Sequence, residues 1–163
     1  MKYVLGWLCL SFTLLAGDIF ASELKGRVVK VADGDTITII DANNTQHRIR
    51  LSQIDAPEKG QPWGEKSRQY LAQRIAGEEV TVEWNERDRY QRIIGTVYLD
   101  SVDICQEQIE LGNAWVYTQY ATDKTLYLLQ NQAERNKIGL WKLPASERVE
   151  PWVWRRNKNG HRK

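Results

Sequence analysis

The sequence predicts an α+β fold that is mainly β: a small barrel of five short antiparallel strands with about three helices packed on it. Three observations carry that expectation. β-branched residues recur in short alternating runs through the N-terminal half, clusters of Asp, Asn and Gly separate those runs at hairpin spacing, and helical spacing of apolar residues begins only after the third run.

Leu24 to Val31 (LKGRVVKV) is β-rich and forms the first predicted strand. Ala32-Asp33-Gly34-Asp35 turns the chain, and Thr36 to Ile40 (TITII) is the second strand. Asp41 to Asn44 turns it again. In the third strand, Thr45 to Leu51, His47, Ile49 and Leu51 alternate with Gln46, Arg48 and Arg50, which places Arg48 and Arg50 on one face. An arginine pair facing away from a core is ordinarily solvated surface. Ser52 to Pro62 is a loop broken by Pro57, Gly60 and Pro62. From Gly64 to Ala76 the spacing is helical, with Tyr70, Leu71 and Ile75 as the apolar stripe and Gly77 as the stop. Val80 to Trp84 and Arg92 to Leu99 are the fourth and fifth strands, joined by the charged loop NERDRYQ. Asp103, with Gln106 three residues on, starts a helix that ends near Gly112, and residues 121–138 form another. The segment after Gly139 is turn-rich and aromatic, and Trp141, Trp152 and Trp154 are expected to seal a core edge. Three strands, a helix, two strands and then helices is the order of an OB-type barrel.

The chain has 163 residues, 42% of them hydrophobic and 27% charged, with a formal net charge of +2. This is globular composition and excludes a disordered or fibrous chain. Residues 1–21 carry a lysine, an apolar run from Val4 to Leu15 and a small residue, Ala21, which is the pattern of a secretory signal peptide cleaved after Ala21. The expected organisation is a signal peptide over 1–21, one domain over 22–154 and a basic tail over 155–163, with the product exported to a periplasm or the medium. Beyond the signal only one cysteine remains, Cys105. It is read as a small buried residue, because no histidine lies near it. The final nine residues, RRNKNGHRK, hold five basic groups and no acid, so the rest of the chain is slightly acidic. That tail suits a solvated terminus or a flexible arm for a polyanion.

Three stretches combine acids with arginines: Asp33 to Thr36 on a turn, Arg50 to Glu58 running off the third strand, and Asp88 to Arg92 entering the fifth. Hydrolysis of a phosphodiester needs such parts. Hard oxygen ligands hold a divalent cation, planar guanidinium forks meet the phosphate, and a further carboxylate receives a proton from water. Asp35 and Asp55 are the candidate cation ligands, Glu58 the further acid, and Arg50 and Arg92 the phosphate donors. The same residues also suit a structural network of ion pairs, with Arg92 paired to Asp88, or an OB module that binds nucleic acid without cutting it. The aromatic C-terminal segment would equally serve a module binding protein or sugar.

The ordered set resembles the staphylococcal nuclease family: Asp33-Gly34-Asp35-Thr36, then Arg50 through Asp55-Ala56-Pro57-Glu58, then Asp88 through Tyr90 to Arg92. Gly112 to Tyr117, Gly139-Leu140-Trp141 and Pro151-Trp152 extend the resemblance over Leu24 to Arg156. It implies an OB barrel carrying helices, and calcium-dependent hydrolysis of DNA, and in many members RNA, that leaves 5′-hydroxyl and 3′-phosphate ends. By the same resemblance Asp35, Asp55 and the Ala56 backbone carbonyl bind one calcium ion, and Glu58 is the general base or the group that orients the water. Arg50 and Arg92 bind the phosphate, and Arg89, Tyr90 and Tyr120 bind the terminal phosphate or base. A monomer is expected. Three positions depart from the family pattern. Ala56 stands where some members have threonine, Gln91 where glycine is frequent, and Gln108 where leucine is frequent, the last expected to cost packing.

Overall fold

In a computed structural model, which describes residues 22–160, the chain forms β1 (Ser22–Val31), β2 (Thr36–Ile40), β3 (Gln46–Leu51) and a short β4 (Ile54–Asp55), followed by α1 (Gly64–Ile75). Then come β5 (Glu79–Arg87), β6 (Ile93–Leu99), β7 (Val102–Asp103), α2 (Ile104–Glu110), β8 (Trp115–Val116) and α3 (Lys124–Arg135). Two short 3₁₀ turns, Gly139–Lys142 and Ala145–Glu147, lead into α4 (Pro151–Gly160). The expected signal peptide lies outside the described residues. No helix among the described residues is long and apolar enough to cross a membrane.

The strands pair in the order β3-β2-β1-β5-β6-β7, and β3 also pairs with β6. That last contact is parallel, with Ile49 beside Ile93 and Arg50 beside Ile94, and it closes β1, β2, β3, β5 and β6 into a barrel. Closure removes both sheet edges and gives every inward residue a neighbour on each side. Alternation along each strand supplies the interior: Ile37 and Ile39 from β2, Ile49 and Leu51 from β3, Val80 and Val82 from β5, and Ile93 and Val97 from β6 are all buried. Leu71 and Ile75 of α1, Ile104 and Ile109 of α2, and Leu126 of α3 complete the same core.

The helices start and stop where the local chemistry requires. Asp103 caps α2 by accepting from the backbone N–H of Cys105 at 2.7 Å and of Gln106 at 3.1 Å, and Asp123 caps α3 through the N–H of Thr125. Gly77, at φ 84°, follows the end of α1 in a left-handed conformation. The stripe on α1 is Gly64, Ser67, Leu71 and Ile75, so Ser67 faces inward and Tyr70 lies at its margin. Cys105 is buried, and desolvation pushes its thiol up to about 12, as expected of a packed rather than a reactive cysteine.

Two sequence expectations change. α4 crosses the boundary placed between residues 154 and 155, so Arg155 belongs to a folded helix rather than to a loose tail. Gln108 is fully buried, and its Nε2 donates to the Gly34 carbonyl at 2.6 Å. Its buried amide therefore ties α2 to the Asp33–Asp35 turn instead of merely costing packing. Gly34 is required there, because a Cβ would lie 1.9 Å from Ser67 Oγ and 2.7 Å from Ala56 Cβ.

Replacing Gln108 by Ala would orphan the Gly34 carbonyl and leave a void beneath the turn. Urea unfolding should show a loss of about 2–4 kcal/mol. Gln106→Ala, on the same helix but only half-buried, should stay within about 0.5 kcal/mol of the parent.

Candidate active site

Each site segment is placed by a different barrel contact. Asp35 immediately precedes β2, and its carbonyl accepts from the Leu51 N–H at 2.8 Å, which brings it beside the end of β3. Thr36 pairs with Arg50 across β2 and β3, so Arg50 emerges next to the turn. Asp55 is held in β4 opposite Trp115 of β8. Gln53, at φ 63°, redirects the chain between β3 and β4. Its Oε1 accepts from the backbone N–H groups of Thr122 at 2.7 Å and Asp123 at 2.9 Å, which ties the motif loop to the start of α3. Ala56 donates its N–H to Asp35 Oδ2 at 2.6 Å, joining the first two acidic stretches directly.

Arg50 binds both acids. Its Nη1 lies 3.0 Å from Asp35 Oδ2 and its Nη2 2.7 Å from Asp55 Oδ1. Its side chain is only 12% exposed, so it is a buried bridge and not the solvated surface residue that strand alternation suggests. Burial alone would lower its pKa, but Asp35, Asp55 and Asp33 outweigh that and hold the guanidinium charged. The carboxylates are crowded in return. Desolvation, reinforced by Asp35, pushes Asp55 up to about 6 against the opposing pull of Arg155 and Arg50. Desolvation and the nearby Asp35 push Asp33 up to about 7.

Arg92 takes a different environment. It lies just before the parallel β3–β6 register and two residues before Ile94, the partner of Arg50. Two residues of strand are about 7 Å, a span two long arginine side chains can close. Its Nη2 and Nε lie 2.7 Å from Asp88 Oδ2, which is the ion pair open from the sequence. Burial would raise the Asp88 pKa, but its hydrogen bonds to the Arg92 backbone and side chain outweigh that and hold it below the usual carboxylate range. Gln91 sits at φ 62°, the left-handed region glycine prefers, and its N–H donates to the Asp88 carbonyl. The substitution at this position therefore keeps the turn and carries some backbone strain.

A groove of about 1220 Å³ is lined by Asp35, Arg50, Asp55, Glu58, Arg89, Tyr90, Arg92 and Tyr120, so every candidate side chain reaches one surface. Ala56 is buried and is not among the residues lining it. Tyr90 and Tyr120 are each about 60% exposed on the rim, Tyr90 at 60% and Tyr120 at 59%. Arg89 stacks on Tyr90 with its guanidinium 4.8 Å from the ring centre.

One site residue was missed in the sequence. Arg155 of α4 donates from Nη2 to Asp55 Oδ2 at 2.8 Å, and from Nη1 to Asp55 Oδ1 at 3.1 Å and Glu58 Oε1 at 2.6 Å. Its position follows from the aromatic residues before it. Trp152 stacks on Tyr117 with centroids 5.3 Å apart and meets the edge of Trp115, which in turn packs on Trp141. The Pro151-Trp152 pair was the only local signal, and it pointed to packing rather than to an arginine one turn later.

Among the described residues no three Asp, Glu, His or Cys side chains already converge as a ready metal cage. The donor set nonetheless suits a hard cation. Asp35 and Asp55 are 5% and 1% exposed, both offer oxygen, and they are crowded enough to need positive charge.

Asp33 and Asp55 make stability depend on pH. Both carboxyls hold protons in the folded state that the unfolded chain, titrating near 3.8, releases. Stability measured by urea midpoint in a chelator should therefore fall as pH rises from about 4 to about 7 and level off above. A midpoint that climbs across that window would contradict the crowding.

Comparison with known proteins shows the family. The family model for staphylococcal nuclease homologues matches residues 48–143. An uncharacterized endonuclease of Escherichia coli is 45% identical over 141 residues, covering 86% of this chain and 90% of its own. A second, from Haemophilus influenzae, is 38% identical over 159 residues, covering 96% of this chain and 86% of its own. A micrococcal nuclease of Shigella flexneri is 38% identical over 146 residues, 83% of this chain and 82% of its own. With the barrel, the shared groove and these matches together, the chain belongs to the staphylococcal nuclease family and is a hydrolase of the nuclease class.

Proposed function

We propose that this protein is an exported, monomeric, calcium-dependent endonuclease that hydrolyses DNA and RNA to 5′-hydroxyl and 3′-phosphate ends. One observation carries the reading: acids and arginines spread from residue 35 to residue 92 line a single groove. A binding-only module has no use for buried carboxylates on a surface that must accept a polyanion.

Asp35 and Asp55, with the Ala56 carbonyl, would hold the calcium ion. When bound, such an ion offsets the phosphate charge and makes a nearby water more acidic. Arg50 from β3 and Arg92 from the loop entering β6 reach the phosphate and stabilise the charge that builds on its oxygens. Glu58, on the loop beside Asp55, orients the attacking water and takes its proton. The water oxygen joins phosphorus, the bond to the 5′ oxygen breaks, and a proton goes to that oxygen. For Arg92 to act it must loosen its pair with Asp88, which a competing phosphate favours. Arg89, Tyr90 and Tyr120 on the rim would take the neighbouring phosphate or base. Export rests on the apolar run of residues 4–15 after Lys2, and mass spectrometry of the secreted product should place its first residue at Ser22.

Incubation with plasmid DNA and with RNA should show cleavage in calcium and none in EDTA, with 3′-phosphate on the products. Arg50→Ala and Arg92→Ala should each lower turnover on the order of 10³-fold without weakening calcium binding. Asp35→Ala should weaken calcium binding first. Intact plasmid bound tightly in calcium would leave only a nucleic-acid-binding barrel.

A further inference from the structure

The calcium reading assigns Asp55 to the metal, yet Arg155 donates to both Asp55 oxygens, and the same Nη1 also reaches Glu58. We propose that Arg155 is a resident cation of the Asp55–Glu58 pair, which a calcium ion must displace, so that the C-terminal helix sets the calcium affinity of the site. The inference rests on the calcium-dependent reading above and adds to it a residue outside the matched family segment of 48–143.

The chemistry of Asp55 requires an occupant. It is 1% exposed, and a carboxylate so placed needs compensating charge and hydrogen bonds. Arg50 satisfies Oδ1 at 2.7 Å, and Oδ2 accepts from Arg155 at 2.8 Å. A calcium ion takes carboxylate oxygens at about 2.3–2.6 Å. Three guanidinium N–H bonds already use three of the about four lone pairs of Asp55, and a calcium ion there would also face two guanidinium charges, so one of the two arginines must yield.

Exposure decides which. The Arg50 side chain is 12% exposed, anchored also on Asp35 and the Leu51 carbonyl. The Arg155 side chain is 38% exposed and can swing into water. Its helix need not undock when it does, because α4 is held by other contacts. Pro151 is buried, Trp152 stacks on Tyr117, and Gln61 Nε2 donates to the Val149 carbonyl at 2.5 Å. Releasing Arg155 also frees Glu58, whose Oε1 it holds at 2.6 Å. One displacement thus opens the metal position and the general base together.

The consequence is quantitative. If the guanidinium occupies the pair about nine-tenths of the time, only about a tenth of the molecules are competent, and the apparent calcium Kd is about tenfold higher than that of the open site. Calcium titration calorimetry on the purified protein without nucleic acid tests this. Arg155→Gln should bind calcium about tenfold tighter, and Arg155→Lys, which keeps the charge without the fork, should fall between it and the parent. Arg156→Gln removes the same charge from an exposed position on the same helix and should stay within about twofold. Should Arg155→Gln require calcium to fold, chelator competition on the calcium-loaded variant gives the same ranking, and Arg155→Lys gives it independently. Affinity unchanged or weaker in Arg155→Gln overturns the proposal, as does an equal gain in Arg156→Gln. Failure of the parent itself to bind calcium would instead overturn the calcium reading, and the proposal with it.

Discussion

The buried bridge from Arg50 to Asp35 and Asp55 is the constraint on which the rest of the site depends. One guanidinium, 3.0 Å from one carboxylate and 2.7 Å from the other, joins the end of β3 to a turn before β2 and to the short strand β4. Such groups are costly to bury singly and tolerable only as a satisfied set. Thr36, the Ala56 N–H and the Leu51 carbonyl complete that set by taking the remaining hydrogen bonds. The arrangement is therefore a balance of charge: the carboxylates suit a cation, and arginines stand in for it.

The barrel makes this balance possible by fixing backbone rather than side chains. The parallel β3–β6 contact sets Arg50 beside the start of β6, which Arg92 immediately precedes, and the rigid isoleucine and valine interior beneath fixes that register. Left-handed backbone occurs in the loops of the site as it does in turns elsewhere, at Asn44, Asp100, Ser101 and Lys137. Gln53, Trp63 and Gln91 all hold positive φ angles, and each lies in a loop that delivers a site residue or caps the helix after it. Gly64 completes the packing, because a Cβ there would stand 2.1 Å from the Glu58 carbonyl. The loop carrying Glu58 can thus lie directly on the first turn of α1.

A ladder of aromatic rings links the site to the end of the chain. Tyr120 on the rim meets Tyr117, Tyr117 stacks on Trp152, Trp152 meets Trp115, and Trp115 packs on the buried Trp141. Trp115 also pairs with Asp55 across β4 and β8. The same rings that seal the core edge therefore hold an acid of the site from one side and orient α4 toward it from the other. This is how a basic residue near the C-terminus reaches carboxylates about a hundred positions earlier in the chain, separations of 100 and 97 residues for Asp55 and Glu58.

Local sequence determined the five barrel strands, the first three helices to within a few residues, and the acid and arginine stretches. Alternation, capping residues and turn chemistry act over a few positions and need no knowledge of the rest. Tertiary structure decided the rest. Arg50 is a buried bridge because the fold sets the Asp35 turn and the Asp55 strand against it, although alternation places it on an outward face. Gln108 is a tie to Gly34 because barrel and helix bring a buried amide to a carbonyl 74 residues away. Arg155 is a site residue because aromatic packing turns α4 inward, whereas its neighbours in sequence read only as a charged tail. Each of these is an electrostatic or hydrogen-bonding contact between separate elements. Its strength depends on the desolvation that only the assembled fold imposes.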